Sequence, residues 1–168
     1  MTAIESLTLT PVPAQTPEVG IWLSVLREAR TETLKAAARI IHLDAQPERG
    51  NSAGTLLYHI AQVEAYWLYG EVLEQQDADF PAEVRNWFPF DMGDENGKLT
   101  MIRDEPLQRY LARLVWVRGR LEEVFGTMSL DEFRRVRHLE GEDVTPEWVL
   151  MHLALHEAHH EGQLALLT

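Results

Sequence analysis

The segment HLALHEAHHEGQ, residues 152–163, holds four of the seven histidines in the 168-residue chain. It lies inside a longer run opened by Thr145, Pro146 and Glu147: a cap, a first-turn proline and an early acid. These predict a helix from there almost to Thr168. At about 100° per residue, Val149, His152, His156, His160, Gln163 and Leu167 fall in one row. Trp148, Leu155 and Leu166 flank the row on one side, Leu153 and Leu164 on the other, and Glu157, Ala158, Glu161 and Ala165 take the opposite face. The histidine row is therefore expected down the middle of the buried face. An unpartnered buried imidazole costs on the order of 1–3 kcal/mol, so something inside the fold has to satisfy the row.

Upstream, three more segments carry helical periodicity. Thr16 and Pro17 open the run EVGIWLSVLREARTETLKAAARII, residues 18–41. Ser52 caps AGTLLYHIAQVEAYWLYGEVLEQQ, residues 53–76, whose apolar stripe runs through Leu56, Ile60, Val63 and Trp67 and includes His59. Pro106 starts a third helix with Leu107, Leu111, Leu114, Leu121 and Phe125 on its inner face. Residues 1–15, with two prolines, read as an extended lead-in to a single domain spanning 1–168. The fold expected is all-α: an up-and-down four-helix bundle with long connectors between helices two and three and between helices three and four. The first connector, about Asp77 to Glu105, mixes proline, glycine, aromatics and acids, a composition and length suited to a lid or pocket wall. The second, TMSLDEFRRVRHLEGEDV, is expected to hold a short helical turn.

Composition narrows the function. With 15 basic residues against 27 acids and a net charge of −12, the chain lacks the clustered cations that bind phosphates, so no nucleic-acid partner is expected. No apolar run approaches the roughly 20 residues that span a bilayer and the N-terminus lacks a signal-peptide pattern, so a cytoplasmic protein with no membrane partner is expected. There is no cysteine, hence neither a disulfide nor a protein thiol nucleophile.

A metal ion is the economical partner for the histidine row. Imidazoles at i and i+4 lie about 6 Å apart along the axis and converge on one ion, whereas His152 and His160, about 12 Å apart, cannot share it. One pair must be used, with a third ligand from another helix, and His59 is the remaining histidine on a core-facing stripe. HEAHH, residues 156–160, also matches the zinc-protease pattern H-E-x-x-H. That reading fails downstream, where Gln163 and Leu166 stand in place of the glycine and histidine of the longer motif.

Together, LLYHIAQVEAYWL on the second helix and WVLMHLALHEAHHEGQLALL on the last resemble the DinB/YfiT-like superfamily of metal-dependent enzymes, whose final helix reads H-x-x-H-H-x-G-Q. The resemblance implies a four-helix bundle, a homodimer, and a divalent metal held by His59, His156 and His160. Gly162 and Gln163 match the G-Q; Glu161 stands where an arginine is common. His152 is left to line the pocket, orient a ligand or pack, His159 to cap the rim or pair with an acid, and His42 and His138 to the surface.

Three imidazoles with an open position describe a catalytic rather than a structural ion. A coordinated thiol would lose its proton there. The resemblance implies transfer of a low-molecular-weight thiol to a small electrophile. The cofactor expected is a divalent ion: Zn, Ni, Fe or Mn, which an imidazole site does not distinguish. Hydrolysis with Glu157 or Glu64 as base is the alternative, and a non-catalytic metal-binding bundle a third reading. The basic cluster RRVRH, residues 134–138, either holds the carboxylates of the thiol or is a turn paired with Asp131, Glu132 and Glu140.

Overall fold

The computed structural model describes residues 8–139 and 141–168. Its α-helices are α1 (Pro17–Ala37), α2 (Ala53–Tyr66), α3 (Ala82–Trp87), α4 (Leu107–Gly126), α5 (Leu130–Arg134) and α6 (Pro146–Ala165). The long ones, α1, α2, α4 and α6, form the expected all-α bundle. Ser52 and Thr145 cap their helices as the sequence predicts, their hydroxyl oxygens accepting from the Thr55 and Trp148 amides. Thr16 differs: its hydroxyl donates to the Met128 carbonyl at 2.8 Å and ties the start of α1 to the segment after α4.

Helix ends depart from the periodicity. The first helix stops at Ala37, short of the expected Ile41, which is exposed. The second changes at Trp67 into a π-helical turn, Trp67–Val72, closed by the Leu73 amide donating to the Leu68 carbonyl at 3.0 Å. The lead-in lies extended from residue 8 onward and is docked: Val12 is buried and its amide donates to the Gly20 carbonyl. A Cβ on Gly20 would sit 2.4 Å from the Val12 carbonyl oxygen, so only glycine permits this approach. Residues 1–7 of the expected lead-in, and Glu140 of the basic turn, fall outside the described residues.

Contacts along the helices give their directions. The start of α1 meets the end of α4, where the Gln15 amide donates to the Gly126 carbonyl, and Arg27 pairs with Glu122, so this pair is antiparallel. On α2 and α4, Gly54 meets Tyr110 and Glu64 meets Arg118, so these neighbours are parallel. On α2 and α6, His59 meets His156 and Trp67 meets Trp148, an antiparallel pair. The order is up, down, down, up rather than strict alternation. A parallel neighbour requires the chain to travel back along the bundle, which accounts for the length of the first connector. Phe80 packs on Tyr66 and Tyr69, the Phe90 carbonyl accepts from Gln62, and the Ile102 amide donates to Thr55. The second connector holds α5 and a two-residue ladder, β1 (Arg137–His138) antiparallel to β2 (Asp143–Val144).

The orientation of α6 is a correction. Its buried residues are Pro146, Val149, Leu150, Leu153, Ala154, Glu157, His160 and Leu164, while Trp148, Leu155 and Leu166 are exposed. The histidine row lies along the edge of the buried face instead of its middle, and Glu157, assigned by phase to the outside, is 2% exposed.

Candidate metal centre

His59 reaches inward from α2, and His156 and His160, one turn apart on α6, reach toward it. The Nε2 of His156 lies 3.2 Å from that of His59 and 3.1 Å from that of His160. All three ligand atoms lie within 4.8 Å of one another. A tetrahedral ion with bonds of about 2.0–2.1 Å sets its ligand nitrogens roughly 3.3 Å apart, so this donor set fits a divalent metal.

The local chemistry favours the ligand form of each ring. Burial, reinforced by His160, pushes His59 down to about 4, and burial with His160 and His59 pushes His156 down to about 3. Burial lowers His160 too. The rings are neutral near pH 7, as metal binding requires. Gln163 sets the tautomer of His160. Its Oε1 accepts from Nδ1 at 2.8 Å, while its Nε2 faces His159 Nε2 at 3.2 Å. The Nε2 lone pair of His160 is thereby left aimed into the cluster.

The other histidines separate cleanly. His152 stacks on Trp148 with centroids 4.9 Å apart and 9° between planes, packs on Trp67 at 4.7 Å, and stands 6.0 Å from His156. It lines the edge of the centre without joining the triad. His159 is exposed, as is His42. His138 is exposed and bonded to Asp143 at 2.8 Å.

Both carboxylates considered as bases are committed elsewhere. Glu64 and Glu157 sit in the core with Arg30 and Arg118, one residue from each long helix. Arg30 reaches Glu64 at 2.7 Å and also bonds Glu157; Arg118 reaches Glu157 at 2.8 Å and also bonds Glu64. The remaining guanidinium donors go to the Leu114 and Leu26 carbonyls. Burial alone would push the Glu64 carboxyl up, but Arg118 and Arg30 hold it below its ordinary value. Glu157 thus faces two arginines rather than the triad, and the H-E-x-x-H match has no general base.

The basic cluster is paired as well. Arg134 meets Glu147, Arg135 meets Glu74 and Glu132, and Arg137, 1% exposed, bonds Glu132 and the Val72 carbonyl. Sequence reasoning missed the buried lattice, although its signal was present. Arg30 shares the phase of Leu23, Leu26 and Thr33, and Arg118 that of Leu114, Leu121 and Phe125.

No solved structure matches the chain. The chain is similar to the uncharacterized protein YkkA of Bacillus subtilis (strain 168), 24% identical over 156 residues that cover 90% of this chain and 86% of YkkA. Residues 22–167, which include all four long helices but for the first turn of α1, match the family model of mycothiol-S-transferase, and the protein belongs to that family of DinB/YfiT-like transferases.

Proposed function

We propose that the protein, acting as one domain, holds a divalent ion on His59, His156 and His160 and transfers a low-molecular-weight thiol, mycothiol or a relative, to a small electrophile. The observation that carries this reading is the convergence of three neutral imidazole Nε2 atoms at ligand spacing. Held by these three residues, an ion would supply the positive charge that lowers the pKa of a coordinated thiol. The protein's own groups do the rest. Gln163 holds His160 in the ligating tautomer, and the His152 ring, packed on Trp67 and Trp148, stands beside His156. The sulfur comes on the co-substrate, since the chain has no cysteine. It forms a bond to carbon as the electrophile's leaving group departs with its electron pair, and the thiol proton passes to solvent.

Hydrolysis loses its footing because Glu64 and Glu157 are bound by arginines. The native ion is one of Zn, Ni, Fe and Mn, the setting is cytoplasmic, and the assembly is a homodimer; among the described residues no helix is long and apolar enough to cross a membrane. Exposed Trp148, Leu155 and Leu166 on one side of α6 support the homodimer.

Elemental analysis of protein purified without a metal-affinity step tests the centre. Alanine at His59, His156 or His160 should remove most of the bound metal, and alanine at His42 should not. Cobalt-substituted protein should gain a sulfur-to-metal charge-transfer band when a small thiol is added. Full metal retention in His59→Ala, or a cobalt spectrum indifferent to millimolar thiol, sinks the reading.

A further inference from the structure

A cavity of about 420 Å³ lies between the loop preceding α2 and the last turns of α6. It falls within the usual range of small-molecule sites and would hold on the order of 14 water-sized groups. Its walls join it to the metal centre. Leu56 stands one turn before His59 on α2, and Gln163, which bonds His160, closes the α6 side. Leu166 and Leu167 add apolar surface, and the residues with polar side chains along its lining are Arg49, Asn51 and Gln163. No acid lines it among the described residues.

Arg49 is what distinguishes this cavity. It is exposed and pairs with no carboxylate among the described residues. The cations of the RRVRH cluster, by contrast, all have acid partners. In a chain of net charge −12, an anion approaching the surface is repelled by the overall field, so a guanidinium without a partner beside an apolar cavity sets a local preference.

We infer that this cavity is a carboxylate-selecting subsite, taking the apolar body of a small carboxylic acid between Leu56, Leu166 and Leu167 with its carboxylate on Arg49. Its place in the transfer reaction rests on the metal reading above; its preference for carboxylates does not. The same chemistry fits a carboxylated electrophile or a carboxylated thiol.

Calorimetric titration with 4-phenylbutyrate and its neutral counterpart 4-phenylbutanol, on metal-free and on zinc-loaded protein, tests the subsite. The acid should bind about tenfold tighter than the alcohol in both forms, the scale of one charge-assisted contact. Arg49→Met should erase that preference while leaving the alcohol unchanged, and Arg49→Lys should retain part of it. Because the metal-free arm stands alone, failure of the metal centre and failure of the subsite give different results. Equal binding of acid and alcohol to the wild type, no binding of either at millimolar concentration, or a preference that survives Arg49→Met overturns the inference. With zinc bound, 4-mercaptobutyrate separates the two sources, and either result upholds the subsite. If it displaces 4-phenylbutyrate, the cavity serves the thiol; if both bind together, it serves the electrophile.

Discussion

Two polar clusters share α2 and α6, the first drawing on α1 and α4 as well, and they are built on opposite rules. Glu64 and Glu157 meet Arg30 and Arg118, two anions against two cations, each carboxylate bonded to both guanidiniums. His59, His156 and His160, on the adjacent face of α2 and α6, turn the same atom toward one point. The first cluster satisfies itself, so burial strengthens its internal attraction and leaves nothing for a ligand. The second presents three like donors that an electron-pair acceptor completes. Glu157 and His156 are neighbours in sequence, yet one belongs to the frame and the other to the site. A buried polar residue is structural where its partners cancel it and functional where its neighbours share its need.

The largest effect expected comes from breaking the balanced cluster. Glu157→Gln leaves Arg30 and Arg118 with a single anion between them and should cost about 3–5 kcal/mol, the range for removing one partner of a buried ion pair. Urea denaturation at pH 7 reads this directly. A midpoint equal to that of the wild type would show that the four charges do not act as one unit.

The histidine cluster should respond to protons instead. His59 and His156 titrate in the folded chain at about 4 and about 3, below their unfolded value of about 6.5. Between pH 6.5 and 4 the unfolded chain therefore binds more protons, and the metal-free protein loses stability as pH falls through that window. The melting temperature should drop by at least about 5 °C from pH 7 to pH 5, and His156→Gln should show a shallower slope. Identical slopes for the two proteins would place the acid sensitivity elsewhere.

The smallest effects belong to the exposed, paired basic turn. Arg134→Ala and His138→Ala should each change stability by no more than about 0.5 kcal/mol and leave zinc content as it is. Were Arg134→Ala to weaken a carboxylated thiol selectively, the RRVRH cluster would have to be returned to the site in place of Arg49.

Much of this was legible in the chain itself. Caps at Ser52 and Thr145, and apolar residues three and four apart, are local signals. The expected helices accordingly stand where their periodicity puts them, apart from a few residues at the ends of α1 and α2. The i, i+4 spacing of His156 and His160, with His59 on another apolar stripe, pointed to the three residues that the bundle brings together. Hydropathy misjudged the rotation of α6, because a glutamate counts as outward wherever it occurs. Glu157 turns inward because Arg30 and Arg118 arrive from α1 and α4 to offset its desolvation, and no window along α6 contains them.

The sequence by itself determined the helices, the absence of any protein thiol, and the imidazoles available for a metal. Tertiary structure alone decided that α2 and α4 run parallel, that the RRVRH arginines are occupied, and that Arg49 and Gln163, more than a hundred residues apart, line one cavity. The physical reason is range. Helix caps and periodicity act over one or two turns, whereas charge pairing and cavity walls depend on which helices become neighbours, and that is settled only when the whole core packs.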